Sequence, residues 1–235
     1  MGTRNLTMVI SGKQTKVAQY GQWDGYPEGQ GQTILKFLRR VNQSKFKEKV
    51  NALQFATEND LKVINQYIEK RKVGNNSWNA YDTWGKYAYL SRDIGGKILT
   101  AIMGNPVKMN EGVGEYKEHE FSVKLVVDGS NFAADSLFCE WAYVIDLDKG
   151  TFEVYKGFNK TPLGKDQRFR YMQDLNLHMD KKDDGTLSSN GYYPVRHLAT
   201  FKLKDLPTPQ EFLKTCMGKR EYAEHLNSKR KKKVA

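Results

Sequence analysis

Cysteine is scarce in this chain, and long apolar runs are absent. Cys139 and Cys216 are the only cysteines, and they lie too far apart in the sequence for a CxxC pair or a disulfide framework. No segment approaches the roughly 18 apolar residues of a membrane-spanning helix. The first residues lack the apolar core of a signal peptide, and Leu6 stands where N-myristoylation needs Ser or Thr. We therefore expect a reducing cytoplasmic location and no membrane partner.

Acidic residues are outnumbered, since 27 Asp and Glu face 38 Lys and Arg, for a net charge of +11. Residues 219–235 hold seven basic and two acidic residues, so this short segment carries +5. A basic surface favours polyanionic partners. The densest run is Lys229, Arg230, Lys231, Lys232 and Lys233. This run predicts salt-sensitive phosphate contacts with nucleic acid, and a solubility role is the competing interpretation.

The hydrophobic pattern of the first half predicts a hairpin followed by helices. Residues 6–11 alternate between apolar and polar positions, residues 12–13 form a turn, and residues 15–20 return as a second strand. Residues 33–42 place their apolar side chains at helical spacing, and so do residues 91–103.

The second half changes to the two-residue period of strands. Strands are predicted at residues 121–127, 137–147, 151–155 and 195–203. A helix should start at Thr208, an N-cap residue that precedes Pro209 and has Glu211 three positions on. Helices and strands are segregated, which predicts an α+β fold of antiparallel sheets with packed helices. We assign residues 1–218 to one domain and residues 219–235 to a basic C-terminal tail.

A glycine-rich loop between the predicted hairpin and the first helix is the main candidate for a site. Four glycines within residues 21–31 free the backbone to turn N–H groups toward a ligand, and a helix N-terminus follows. The loop matches neither the Walker nor the Rossmann pattern, and a sharp packed turn is the competing interpretation. The predicted ligand-binding residues are Arg4, Trp23, Tyr26, Gly29, Gly31, Thr33 and Arg92.

Two carboxylates near this loop are candidate general bases for a hydrolase. Asp24 lies inside the loop beside Trp23, and Asp93 follows Arg92 at the start of a predicted helix. A local ion pair with Arg92 is the competing interpretation of Asp93. Cys139 lies in the strongest predicted strand, where a buried packing role is favoured over a nucleophilic one. The histidine and acidic spacings fit no zinc or calcium site, so we expect no metal and no cofactor.

Two stretches of the sequence resemble an uncharacterised protein family that is common in bacteriophages and their hosts. Residues 3–5 and 19–29 match its Thr-Arg opening and its Trp-Asp-Gly-Tyr-Pro motif, and residues 136–146 and 151–157 are also similar to it. The family brings no known activity. The resemblance implies a phage setting, hence the cytoplasm of a bacterial host, where binding a nucleotide-like signal could counter host defence.

A second resemblance concerns the first residues alone. Choloylglycine-type N-terminal-nucleophile hydrolases begin Cys-Thr-Arg on their first strand, and this chain has Gly2-Thr3-Arg4. The resemblance implies a layered sandwich of that hydrolase type, but the nucleophilic cysteine is missing here.

Three functional hypotheses follow from the sequence. The leading one is a cytosolic phage-type protein that binds a small anionic, nucleotide-like ligand through the loop. A hydrolase acting on such a ligand with an Asp general base is the second. The third is a module that binds nucleic acid or a host protein through its basic surface and tail.

Overall fold

The computed structural model describes residues 2–72, 80–112 and 115–234, and it has an α+β fold. Its strands are β1 (Asn5–Ser11), β2 (Gln14–Gly21), β3 (Gln54–Phe55), β4 (Val107–Gly112), β5 (Glu115–His119), β6 (Leu125–Val126), β7 (Trp141–Asp146), β8 (Thr151–Lys156), β9 (Met179–Lys181), β10 (Leu187–Ser189) and β11 (Arg196–Lys202). Its α-helices are α1 (Gln32–Leu38), α2 (Gln43–Asn51), α3 (Glu58–Lys72), α4 (Ala80–Trp84), α5 (Ile98–Ile102), α6 (Arg170–Asp174), α7 (Pro209–Cys216) and α8 (Lys219–Val234). Short 3₁₀ segments span Gly85–Leu90, Gly95–Lys97 and Ser130–Ala134, and a π-helical turn spans Pro27–Gly31.

A five-stranded sheet forms the centre of the molecule, in the order β11-β8-β7-β1-β2. The pairs β1–β2, β7–β8 and β8–β11 are antiparallel, whereas β1 and β7 are parallel. The predicted α+β class is confirmed, but the prediction of antiparallel sheets is wrong for this sheet, which is mixed. The reason is that β1 and β7 are not hairpin neighbours: more than a hundred residues separate them, so the turn chemistry of either hairpin cannot set their relative direction.

Each face of the sheet is covered by a different kind of structure. On what we call the helical face, Val9, Ile145 and Val154 pack with residues of α1, α5 and α7. On the opposite face, which we call the loop face, Leu6 and Met8 pack against the 3₁₀ segment Ser130–Ala134, α6 and their flanking chain. All six residues of β7 are buried because neither face of this strand meets solvent.

Local signals in the sequence gave several correct elements. The hairpin of β1 and β2 is confirmed, with Leu6 opposite Tyr20. The first helix and the strands β8 and β11 are also found. The start of α7 is a full capping box, in which the Thr208 side chain accepts from the Glu211 amide and the Glu211 carboxylate accepts from the Thr208 amide.

Other predicted elements are shorter than expected. The helix predicted at residues 91–103 is instead a 3₁₀ turn, which starts at Gly95 with a φ of 48°, and the five-residue α5 that follows it. The strand predicted at 121–127 is reduced to β6, which pairs in parallel with β3. The strand predicted from residue 137 begins only at Trp141, because the backbone of residues 135–139 is turned by hydrogen bonds to the Asp135 carbonyl oxygen.

Candidate functional site

The glycine-rich loop runs into α1 through the π-helical turn Pro27–Gly31. Gly31 already has helical angles, with φ −55° and ψ −50°, so the helix has no free first turn at residue 32. The amides of Gly29 and Gly31 donate to the Tyr26 carbonyl oxygen, and the Gln30 amide donates to the Asp24 carbonyl oxygen at 2.8 Å. The backbone donors of residues 29–31, which the sequence interpretation offered to an anion, are therefore used within the loop.

Buried side chains, two from the sheet and one from the loop itself, bond the carbonyl groups of the loop. Asn5 and Gln30 each donate an amide N–H to the Trp23 carbonyl oxygen at 3.2 Å. The Tyr143 hydroxyl donates to the Gly25 carbonyl oxygen at 2.7 Å, and burial holds the pKa of Tyr143 well above its usual value. The loop is thus anchored to β1 and β7 by hydrogen bonds that leave its backbone facing inward.

Gly29, Gly31 and Thr33, three of the predicted ligand residues, make contacts within the protein. A Cβ on Gly31 would stand 2.9 Å from the Phe212 ring, and one on Gly29 would stand 2.2 Å from the Asp24 carbonyl oxygen. The Thr33 hydroxyl donates to the Gly29 carbonyl oxygen at 3.0 Å. Close packing explains these two glycines, and a ligand role for the three residues stays a prediction.

Trp23 connects the loop to the predicted catalytic residue Asp93. Its indole Nε1 donates to the Asp93 carboxylate at 2.7 Å, and the Gln22 amide donates to the Arg92 carbonyl oxygen at 2.8 Å. The Trp23 side chain is 47% exposed, and its ring lies on Gly2, where a Cβ would clash at 2.2 Å. The indole is therefore fixed in position and still available for stacking.

Arg4 and Arg92 both lie near Tyr20, at the end of the β1–β2 hairpin opposite its turn. Burial raises the pKa of Tyr20, and the positive charges of Arg4 and Arg92 act in the opposite direction. The Arg4 guanidinium stacks on the ring of Phe138 at 4.4 Å. Its Nε is buried and has no hydrogen-bond acceptor in the described part of the chain.

Asp135 lies close to Arg4 and was not singled out from the sequence. Burial raises the pKa of its carboxyl group, and Asp180 adds to this rise. Hydrogen bonds from the Phe138 and Leu137 amides and the charge of Arg4 lower the pKa in part. Its Oδ1 is buried and unpaired within the described residues. A buried carboxyl with a raised pKa beside an unsatisfied arginine is typical of functional sites, but no local motif marks this aspartate.

A separate groove opens between the loop and α8 and has a volume of about 590 Å³. Of the predicted site residues, Tyr26 lines it. Its other lining residues are Pro27, Glu28, Glu140, Trp141, Lys156, Phe158, Met217, Glu221, Glu224, His225 and Ser228. The sequence interpretation missed this groove because residues 219–235 were taken as a tail, whereas residues 219–234 form α8 and its first half makes one wall.

The predicted residues thus fall into distinct places in the structure. Asp24 is exposed, with a φ of 54°, and its carboxylate has no described hydrogen bond. Around the end of the hairpin lie Arg4, Trp23, Arg92 and Asp93. The side chains of Lys229, Arg230, Lys231, Lys232 and Lys233 lie outside the described residues, although their backbone belongs to α8.

Neither a metal site nor a reactive cysteine is found in the described ranges. No group of three or more His, Cys, Asp or Glu residues there is placed to hold a metal ion. Cys139 is a free, fully buried thiol of the loop-face core, and burial holds its pKa well above the usual value. This confirms the packing role expected for Cys139.

No helix among the described residues has the length and apolar character needed to cross a bilayer.

The chain matches no protein-family model, no curated protein sequence and no solved structure. The resemblance to a phage-associated family therefore stays a prediction.

Proposed function

We propose that this protein binds a small anionic ligand with a planar ring, of the nucleotide type, at the end of the β1–β2 hairpin. The anion would contact the side chains of Arg4 and Arg92 rather than the loop backbone, whose amides at residues 29–31 are already bonded. The half-exposed Trp23 ring would stack on the base. In the phage setting that the resemblance implies, sequestering such a ligand would counter a host defence signal.

The unsatisfied Nε of Arg4 is the observation that carries this proposal. A buried guanidinium nitrogen without an acceptor costs free energy, and such groups are rare in folded proteins. The Arg4 guanidinium lies on the Phe138 ring, and no described residue supplies a hydrogen-bond acceptor to its Nε. A phosphate oxygen would supply the acceptor, and guanidinium–phosphate pairs are among the strongest hydrogen-bonded contacts.

Calorimetry with a panel of nucleotides and their matching nucleosides tests this site. We expect nucleotides to bind at least about tenfold more tightly than nucleosides, because a hydrogen bond to a charged group is worth about 1.5–3 kcal/mol. Arg4→Gln should weaken nucleotide binding by a similar factor, and Trp23→Ala should weaken nucleotides and nucleosides alike.

Arg40→Gln is the matched control, because Arg40 is exposed and makes no described side-chain hydrogen bond. It should leave affinity unchanged. Equal affinity for nucleosides and nucleotides, or equal losses in Arg4→Gln and Arg40→Gln, would overturn the proposed site.

Hydrolysis of the bound ligand is the second candidate, and Asp135 favours it. Burial raises the pKa of Asp135, and a raised pKa moves a carboxyl group toward the range in which it acts as a general base or acid. A layered, hydrolase-like arrangement of the fold belongs to the same proposal and is supported by the sheet with both faces covered. In this candidate Asp135 takes the role that the sequence interpretation gave to Asp24 or Asp93. Product formation that Asp135→Asn abolishes, with nucleotide binding retained, would support hydrolysis; an unchanged rate would exclude this base.

A further inference from the structure

The groove between the loop and α8 has the size of a small-molecule site. The start of the π-helical turn forms one wall with Tyr26 and Glu28, and α8 forms the other with Glu221, Glu224 and His225. Its volume of about 590 Å³ lies within the roughly 300–1,000 Å³ typical of ligand pockets.

The charge of this groove is opposite to that of the whole chain. Glu28, Glu140, Glu221 and Glu224 line it, against one lysine, although the net charge of the protein is +11. Lys156 is already engaged, with its Nζ 3.7 Å from Glu221 and 5.3 Å from the centre of a Trp141 ring.

Glu28 and Glu140 keep oxygen atoms that can still accept hydrogen bonds from a ligand, whereas Glu221 and Glu224 are paired with cations of the protein. Glu224 pairs with Arg220 at 2.8 Å. Glu140 accepts the Arg4 backbone amide at 3.2 Å through one oxygen, Oε1. Glu28 is exposed and has no hydrogen bond or ion pair with any described residue. The groove therefore holds uncompensated negative charge close to a basic protein body.

Aromatic rings flank these carboxylates. Tyr26 is 47% exposed and Phe158 is 51% exposed, although both side chains are large and apolar. Phe158 also has a φ of 53°, a left-handed conformation that a bulky residue rarely adopts. Strained backbone of this kind concentrates at binding sites, where the surrounding structure fixes a side chain in place. The His225 Nε2 on the opposite wall is buried without a partner in the described chain.

We propose that this groove is a second binding site, for a small organic cation that carries a planar ring. Glu28 and Glu140 attract the positive charge, and the rings of Tyr26 and Phe158 provide faces on which a cation or an aromatic group is stabilised. The groove does not include the Arg4, Trp23 or Arg92 side chains of the proposed anion site, and the opposite charge of its ligand separates the two sites experimentally.

Fluorescence anisotropy with a matched pair of probes tests the proposal. N-acetyl-arginine β-naphthylamide joins a guanidinium to a planar ring, and its citrulline counterpart has nearly the same shape without the charge. We expect the arginine probe to bind at least about tenfold more tightly, because it alone combines carboxylate pairing with cation–π contact.

Three variants assign the binding to the groove. Glu28→Gln should weaken the arginine probe about fivefold and leave the citrulline probe unchanged, since it removes one exposed charge. Tyr26→Ala should weaken both probes. Glu48→Gln, which neutralises an exposed glutamate on α2, and Arg92→Gln should change neither.

Several results would overturn this inference. Equal binding of the two probes would remove the role of charge, and equal losses in Glu28→Gln and Glu48→Gln would place the binding elsewhere. Deleting residues 229–235 provides a further test. If the probe binds only after this deletion, and a dimer dissociates at the same time, the groove is occupied by the basic segment of a second copy instead.

Discussion

Two arginine-centred clusters lie on the loop face of the sheet, at opposite ends of its strands, and they differ in hydrogen bonding. Arg168 donates to Glu153 at 2.7 and 2.9 Å and to Asp146 at 2.7 Å. The Tyr155 hydroxyl donates to Glu153 Oε2 at 2.6 Å, and this oxygen also accepts from Arg168 Nε. At the other end, Arg4 has a buried Nε without an acceptor in the described chain.

The two clusters also differ in how they shift the pKa of their carboxyl groups. Burial alone would raise the pKa of Glu153, but hydrogen bonds from Arg168 and Tyr155 outweigh it, and the pKa is lowered. The pKa of Asp135 is raised, because burial outweighs its backbone hydrogen bonds and the charge of Arg4. The hydrogen bonds of the Arg168 cluster are made within the protein, whereas the Arg4 cluster keeps a buried donor and a buried acceptor unpaired among the described residues.

Replacing the central arginine of each cluster should give the largest difference in stability between the two clusters. Arg168→Met leaves Glu153 and Asp146 buried without their cation, so it should lower the free energy of unfolding by about 3–5 kcal/mol. Arg4→Met should change it by less than about 1 kcal/mol, because the methionine keeps the packing on Phe138 and no hydrogen bond from Arg4 Nε is lost. Urea unfolding measures both. Similar losses in the two variants would contradict the comparison.

Removing one tyrosine hydroxyl from each cluster should give a smaller difference. Tyr155→Phe removes a buried donor to a carboxylate and should cost about 2 kcal/mol. Tyr20→Phe removes the hydroxyl that donates to the Gln22 side chain and should cost less than about 1 kcal/mol, because this pair is neutral and partly exposed. Thermal and urea unfolding of the two variants provide the measurement, and a larger cost for Tyr20→Phe would reverse the assignment.

Glu153 and Asp135 should make stability depend on pH with opposite signs. We expect this effect to be smaller than those of the arginine and tyrosine substitutions. The lowered pKa of Glu153 contributes stability that is present above its ordinary value of 4.5 and is lost as pH falls through the folded value. The raised pKa of Asp135 does the opposite: stability falls as pH rises through its ordinary value of 3.8 toward the folded value.

Urea midpoints measured from about pH 3 to about pH 7 test this difference. Relative to the wild type, Asp135→Asn should gain stability as pH rises, and Glu153→Gln should lose it. Parallel curves for the two variants would show that the clusters are electrostatically alike.

Elements with strong local signals could be predicted from the sequence. The capping box at Thr208 and the alternation across β1 and β2 involve residues close along the chain, so their patterns are visible without a fold. The site was predicted less completely. Asp135 and Phe138 reach Arg4 only because β1 and β7 pair in parallel across more than a hundred residues, and no local pattern encodes that pairing.

The sequence by itself determined the α+β class, the first hairpin, the buried character of Cys139 and the concentration of basic residues near the C-terminus. Tertiary structure decided how the glycine-rich loop is used, because Asn5 of β1 and Tyr143 of β7 bond its carbonyl groups from outside the loop. It also decided which charges remain unpaired. Hydrogen-bond satisfaction depends on neighbours that only folding brings together, so the open cluster at Arg4 and the acidic groove beside α8 are properties of the fold.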